Sequence, residues 1–402
     1  MKFILCPDSY KNNISSVELC DIMKRAILHA SPKSKVLSIP IADGGEGTLD
    51  AISLAFSSRK DNLSDVKSFD ITNKAELIKI KNEGEYKYIF ADIVDPFLKP
   101  IKAEYLFNGE CAIIESAKAI GISLVAENLD VKNTSTYGLG QLIKHALDNG
   151  AKTIVLALGG SSTSDLGAGM ASALGYKFLD KDNNAFIPTA KNLDEVKVFD
   201  NSGAYEKIFE TKFIAMVDCK NPLLGKEGAT YVYSKQKGAS DKDIPILEKK
   251  MESLATLLSK TYGNDFILTE GAGAAGGLGA AVNIFLGANL QSGIDTLLDL
   301  ISFEKILKDA DLVITGEGRF DYQSLMGKAI SGIAKRAKPL HVSVVVIAGQ
   351  SEIKKSDNLE EFGITAVYPI NESNLSKEEK IKRSREDVYL TTKKALEEFI
   401  KS

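Results

Sequence analysis

Five short segments place carboxylates, hydroxyls, amines and glycines where polar chemistry needs them, and each directly follows a predicted strand. In Pro7-Asp8-Ser9-Tyr10-Lys11, a carboxylate, a hydroxyl and an ammonium lie within one turn. Lys11 could hold a transferring phosphoryl group as a point charge. Asp43-Gly44-Gly45-Glu46-Gly47-Thr48 has two adjacent glycines that let the backbone turn sharply and let a ligand reach the amides. Asp43 could accept a proton from a substrate hydroxyl or hold magnesium through water. Gly159-Gly160-Ser161-Ser162-Thr163-Ser164-Asp165-Leu166-Gly167 joins a strand to a helix start. Outward amides, the helix dipole and four hydroxyl side chains would make an anion cradle there. Asp165 would repel a phosphate unless a cation intervened, which points to Mg²⁺. Thr315-Gly316-Glu317-Gly318-Arg319-Phe320-Asp321, with Gly327-Lys328 beyond, offers an arginine suited to bidentate capture of a carboxylate or phosphate. Glu317 and Asp321 could instead neutralise that arginine locally. Finally, Asp218 stands ahead of Asn221-Pro222-Leu223-Leu224-Gly225, as a metal or substrate ligand or as a turn cap.

Two other residue sets carry less. GAGAAG at 271–276 matches the GxGxxG dinucleotide pattern, but the strand that should precede it is only Phe266-Ile267-Leu268. Close packing of small residues explains it as well. The three histidines, His29, His145 and His341, lie away from every glycine-rich turn, so a histidine base is disfavoured. No GxxxxGK[ST] loop occurs.

Strands and helices in alternation must position these groups. Residues 2–6 read as a buried strand. Ser15 and Glu18 form a capping box, and Leu19, Ile22, Met23, Ala26, Ile27 and Ala30 keep one helical face. A strand over 36–41 follows, then a further helix, in the βαβ order of a parallel sheet. From about 60 to 113 the texture changes to antiparallel hairpins with a turn at Gly84. Strand–helix alternation resumes with a helix over 135–148 and strands over 153–158 and 213–217. Strands over 312–315, 344–348 and 365–368 come next, and a helix over 376–400 closes the chain. Its charged run KEEKIKRSRED reads as a solvated face. The fold class expected is α/β in two domains. A discontinuous Rossmann-like parallel-sheet domain (1–60 plus 285–402) would carry a second α/β domain (61–284) inserted in it, with the active site in the interdomain cleft. Ligands of open α/β sheets bind beyond the carboxyl ends of the strands, where these strand-end segments fall.

Composition removes other classes. The 402 residues carry 50 basic and 54 acidic side chains intermixed, for a net charge of −4, so no basic face suits nucleic acid or an anionic membrane. The apolar start MKFIL stops at Pro7-Asp8, too short for a signal core, and no later run reaches the ~20 residues of a membrane span. Cys6, Cys20, Cys111 and Cys219 share no CxxC spacing and read as reduced thiols of a cytoplasmic protein.

The ordered motifs PDSYK, ADGGEGT, ESA (115–117), TSTYG (134–138), LGGSSTSDLGAGM, DCKNPLLG, QKGAS, GAGAAGGLGAA and TGEGRFDYQSLMGK run from about residue 3 to 350. In them the chain resembles the bacterial type 1 glycerate kinase family. The resemblance implies ATP-dependent phosphorylation of D-glycerate, 2-phosphoglycerate as product, Mg²⁺ as cofactor and a two-domain α/β architecture. Where the family pattern is GGSATNDGG, this chain has Ser162, Ser164 and Leu166, and Tyr10 replaces a phenylalanine, so its hydroxyl must find a partner. In the expected mechanism Lys11, Asp43, Arg319 and Asp321 are catalytic, with Asp43 taking the hydroxyl proton. Asp8, Ser9, Gly44, Gly45, Ser161 and Arg319 bind glycerate. Gly159, Gly160, Ser161, Ser162, Thr163, Gly316, Glu317 and Lys328 bind ATP. Mg²⁺ sits on Asp165 and Asp218, with Asp321 as a further carboxylate. A monomer or homodimer is expected. The rival readings are a nicotinamide-dependent dehydrogenase of a small hydroxy acid and a non-catalytic hydroxy-acid binding protein.

Overall fold

A computed structural model describes residues 1–10, 13–41, 47–60, 86–325, 328–353, 358–370 and 376–401. Lys11, Asp43, Gly44, Gly45 and the turn expected at Gly84 lie outside the described residues. In chain order, β1 (Lys2–Pro7), α1 (Ser16–Ala30), β2 (Lys35–Ser38) and α2 (Thr48–Lys60) come first. They are followed by β3 (Lys87–Val94), β4 (Pro100–Phe107), β5 (Cys111–Glu115), α3 (Ala117–Ile120), α4 (Tyr137–Asp148), β6 (Thr153–Ala157) and α5 (Ala168–Ala173). Three short strands come next, β7 (Lys177–Leu179), β8 (Ala185–Phe186) and β9 (Val198–Asp200). After β10 (Lys212–Val217) come α6 (Ala229–Tyr233), α7 (Asp243–Tyr262), α8 (Asp265–Leu268), α9 (Ala274–Leu286) and β11 (Asn289–Ser292). The last stretch holds α10 (Gly293–Leu300), α11 (Phe303–Leu307), β12 (Leu312–Phe320), α12 (Ala329–Ala337), β13 (Ser343–Ser351), β14 (Ala366–Pro369) and α13 (Lys377–Lys401).

The chain divides into two compact units, one of Met1–Asp43, Asp50–Ile71 and Gly293–Ser402, the other of Gly44–Leu49 and Thr72–Ser292. In the first, five strands pair in the order β14-β13-β12-β1-β2, all parallel. Alternate residues leave opposite faces. Phe3, Leu5, Leu312, Ile314 and Ile347 pack with Leu19 and Met23 of α1 and Val388 and Leu396 of α13. Val346, Ala348 and Phe320 pack with Ile330 and Ala334 of α12. The helix start read from Ser15 is present: the Glu18 amide donates to Ser15 Oγ at 3.1 Å. Ala30, expected on the buried face, is exposed.

In the second unit the order is β11-β10-β6-β5-β4-β3. The four strands from β11 to β5 are parallel, while β3, β4 and β5 form the antiparallel meander that the β-rich texture announces. One strand candidate fails here, and the small-residue reading of the run after it holds. Phe266-Ile267-Leu268 belongs to the short helix α8 and is no strand. The GAGAAG run then begins α9 with Ala275, Gly276 and Gly277 all at positive φ. A Cβ on Gly276 would lie 2.1 Å from the Thr163 carbonyl oxygen, so this glycine serves close backbone packing. Without a strand entering the glycine turn, the dinucleotide reading and the dehydrogenase it would support are set aside.

Candidate active site

β1 and β12 are neighbours, yet the chain leaves β1 toward β2 on one side and leaves β12 toward β13 and β14 on the other. Their junction is thus a topological switch point, where an open parallel sheet leaves a crevice at its carboxyl edge. A hollow of about 710 Å³ lies there, lined by Asp8, Ser9, Tyr10, Asn13, Glu317, Gly318, Arg319, Asp321, Lys328, Gly349, Gln350, Ile370, Lys380, Ile381 and Ser384. Of the residues singled out in the sequence, Asp8, Ser9, Glu317, Arg319, Asp321 and Lys328 come together here. Gly159, Gly160, Ser161, Ser162, Thr163, Asp165 and Asp218 belong to the other unit.

The Gly316–Phe320 stretch was expected as a loop after a strand ending at 315. It is strand: β12 continues to Phe320, with Arg319 opposite Gln350 and Phe320 opposite Ser351. The apolar run stops early because Glu317, Gly318 and Arg319 line the hollow, before the strand returns to the core at Phe320. Gly316 is fixed by packing, since a Cβ there would lie 2.0 Å from the Ile347 carbonyl oxygen, and its own carbonyl accepts from the Asp8 amide at 2.8 Å. It positions Asp8 and offers no cradle of its own. Tyr10 finds the partner its hydroxyl requires by donating to the Ile347 carbonyl at 2.9 Å.

The charged groups of the hollow differ in how far they are committed. Arg319, 63% exposed, pairs with Glu352 and lies 3.8 Å from Asp321. Asp321 also caps the following turn, accepting from the Gln323 and Ser324 amides at 2.9 and 3.2 Å. Lys328 stands at the N-cap of α12, exposed and with its backbone extended. Glu317 Oε1 is buried and has no hydrogen-bond partner among the described residues. Burial pushes its carboxyl up to about 7; Ser324 and Lys328 oppose that, and the carboxylates of Asp8 and Asp321 reinforce it. A carboxyl poised there can exchange a proton near neutrality.

Two contributors escaped sequence reading. Lys380 and Ser384 of α13 line the hollow, and Ser384 Oγ accepts from Asn13 Nδ2 at 3.0 Å. Their i, i+4 spacing and the lone serine amid charges were the available signal. Lys237, inside QKGAS, is the second. In the other unit its ammonium nitrogen is buried, donating to Ser161 Oγ at 2.9 Å and the Thr163 carbonyl at 2.7 Å.

That packing extends to the whole glycine–hydroxyl loop. Ser161, Ser162, Thr163, Ser164 and Asp165 are all buried. Both the Ser162 amide and its hydroxyl donate to the Ile120 carbonyl, at 2.9 and 3.0 Å. The amide of Gly159 donates to Ser116 Oγ at 3.3 Å, and the carbonyl of Gly160 accepts from the Ile122 amide at 2.7 Å. Only Gly160 of this stretch is exposed. The hydroxyls lie in a tightly packed interior, where Thr163 Oγ1 and Ser164 Oγ have no hydrogen-bond partner among the described residues. Leu166, which replaces a glycine of the family pattern, sits at φ 51°, a left-handed conformation costing roughly 1–2 kcal/mol for a side-chain-bearing residue.

Asp165 is engaged by the protein's own donors. Its carboxylate accepts from the Thr136 amide and hydroxyl, both at 2.8 Å, and from the Gly167 and Gly169 amides, both at 3.2 Å. Burial raises its carboxyl above the usual range against those four bonds. Asp218 is exposed just past β10, and among the described residues no three His, Cys, Asp or Glu side chains gather as a metal site. In the same unit Glu115 is buried and accepts from the Gly47 and Leu49 amides at 3.2 and 3.1 Å, tying down the end of the ADGGEGT segment.

Burial holds Lys237 down at about 7, with Asp165 pulling the other way. A neutral amine has two N–H groups, matching its two acceptors. The unfolded ammonium titrates near 10.5, so between about 7 and 10.5 only the unfolded chain keeps this proton, and stability rises with pH. Urea unfolding of wild type and Lys237→Met should diverge across that window in favour of wild type by up to about 1.4 kcal/mol per pH unit, and run parallel below it. Parallel curves throughout would mean that the lysine stays charged.

Comparison with known proteins agrees with the motif order. The sequence profile of the glycerate kinase family matches residues 3–81 and 75–399. A glycerate kinase of Bacillus cereus is 37% identical over 396 residues, 98% of this chain and 96% of that protein. A glycerate 2-kinase of Escherichia coli is 35% identical over 373 residues, 92% of this chain and 90% of that protein. A crystal structure from Salmonella typhimurium LT2, described as glycerate kinase 2, superposes with a TM-score of 0.77 at 33% identity, covering 98% of this chain and 97% of that one. The chain belongs to the glycerate kinase family.

Proposed function

We propose that the chain transfers the γ-phosphoryl group of ATP to the 2-hydroxyl of D-glycerate, releasing ADP and 2-phospho-D-glycerate. The observation that carries this reading is the 710 Å³ hollow at the switch point, in a chain of this family, with Lys328 and Lys380 sharing its wall with Asp8, Glu317 and Asp321. Phosphoryl transfer asks the protein chiefly for positioning and for charge against the equatorial oxygens, which lysines supply without covalent chemistry. Support for the 2-hydroxyl comes from the Escherichia coli relative, which is named a glycerate 2-kinase.

In this reading Lys328 and Lys380 face the phosphates, and Arg319 turns its remaining N–H groups to the glycerate carboxylate. Asp8 and Ser9 border the same end. Lys11 and Asp43 keep the roles read from their motifs, a point charge on the phosphoryl group and a carboxylate orienting the attacking hydroxyl. Magnesium enters as part of the substrate: triphosphate oxygens and water complete most of its octahedral shell. No step is assigned to a resident ion.

Phosphorus NMR of the products formed from MgATP and D-glycerate tests the reading. A phosphomonoester split into a doublet by one carbon-bound proton is expected. A triplet would move transfer to the 3-hydroxyl, and absence of ADP would remove the kinase assignment.

A further inference from the structure

We infer that Glu317 is the group that takes the proton of the attacking hydroxyl, the role that the motifs alone would give to Asp43. This rests on the kinase reading above and assigns one residue within it. Three features of the fold converge on Glu317. It stands on β12, a central strand paired on both sides, so its backbone is rigidly held. Close backbone packing holds its surroundings: a Cβ on Gly316 would meet the Ile347 carbonyl oxygen at 2.0 Å, and one on Gly349 of β13 would meet the Gly318 carbonyl oxygen at 2.4 Å. Glu317 lines the hollow, and its Oε1 is buried with nothing donating to it among the described residues, although the oxygen of a buried polar group normally has a partner. An acceptor held in place with a vacant lone pair matches a hydroxyl donor that arrives with the substrate.

The neighbouring carboxylates do not offer this. Asp321 is occupied by the turn amides and lies near Arg319, and the Asp8 carboxylate accepts from the Ser9 amide at 2.6 Å. The charged and titratable groups acting on Glu317 come from each element around it: Asp8 and Tyr10 after β1, Asp321 after β12 and Lys328 at the start of α12. Lys380 borders the same hollow from α13. Burial disfavours ionisation of Glu317 most, the two carboxylates add to it, and a Ser324 hydrogen bond and the Lys328 charge oppose it. Its ordinary acid range therefore moves toward neutrality, where a general base is most effective.

The step balances within the reaction. The glycerate oxygen forms a bond to the γ-phosphorus as the bond from that phosphorus to the β–γ bridging oxygen breaks. ADP leaves with the electron pair, and the hydroxyl proton passes to Glu317 Oε1. It returns to water once product departs.

Steady-state kinetics with MgATP and D-glycerate test the inference, comparing wild type, Glu317→Gln, Glu317→Asp and Asp43→Asn, each checked for folding by thermal melting. We expect Glu317→Gln to lose about 10²–10³-fold in kcat, with KM for both substrates within about threefold. The acid limb of the wild-type kcat profile, centred near 7, should vanish in Glu317→Gln and survive in Asp43→Asn. Glu317→Asp, which shortens the reach but keeps the base, should retain the limb at reduced kcat. If Glu317→Gln does not fold, the limb in Glu317→Asp and Asp43→Asn decides. Glu317→Gln turning over within about threefold of wild type, or the limb disappearing with Asp43→Asn instead, would overturn the assignment. Wild-type protein that forms no ADP with D-glycerate overturns the kinase reading itself, an outcome visible before any variant is measured.

Discussion

Lys328→Ala should lower turnover of MgATP and D-glycerate by about 10²–10³-fold, the usual loss when one preorganised charge opposite a developing negative charge is removed. The lysine stands at the N-cap of α12 and borders the hollow, so its ammonium adds to the positive end of that helix. Because Lys328 also favours the ionised form of Glu317, its removal should shift the acid limb of the kcat profile to higher pH. Lys328→Arg keeps the charge and should recover most of the lost activity. A coupled ADP-release assay across pH measures all three outcomes. Wild-type-like turnover in Lys328→Ala would mean that the phosphates are held elsewhere in the chain.

Asp165→Ala should destabilise the protein by several kcal/mol, on the order of 3–5, because it leaves four donors without an acceptor in a buried site. Asp165→Asn keeps the shape but turns an amide's own donors toward those of Thr136, Gly167 and Gly169, and it should lose stability as well. Urea unfolding measures the cost. The magnesium concentration for half-maximal turnover should not change in whichever variant remains folded, since the carboxylate is spent on the protein's own amides. A variant of unaltered stability that requires more magnesium would return Asp165 to the role of a ligand.

The glycine–hydroxyl loop shows what local sequence leaves open. Strand, glycines, hydroxyls and helix start form the same string whether the amides point to solvent or into a neighbour. The packing partners that decided it, Ile120, Gly276 and Lys237, are far off in the chain. Lys237 itself gave no sign, because nothing local distinguishes a lysine that will be buried from the many that stay in water. In α13 a charged run read as solvated does face water over most of its surface, but Lys380 and Ser384 line the hollow.

Local sequence was sufficient for what local physics controls. The Ser15 cap, the buried stripe of α1, the alternation that builds a parallel sheet and the antiparallel texture before residue 113 all depend on residues within a few positions of one another, whereas the Glu18 carboxylate that should complete a capping box pairs with Arg385. The polar segments beyond β1 and β12 were also legible, because open sheets gather ligands at strand ends. Which strands become neighbours was not. Placing β1 beside β12 joins residues some 309 positions apart, as in the hydrogen bond from Thr315 to Cys6, and creates the switch point that puts Asp8 and Glu317 in one hollow. Burial, lost solvation and the vacant oxygen of Glu317 follow from that pairing. They are properties of surroundings that only the folded chain supplies.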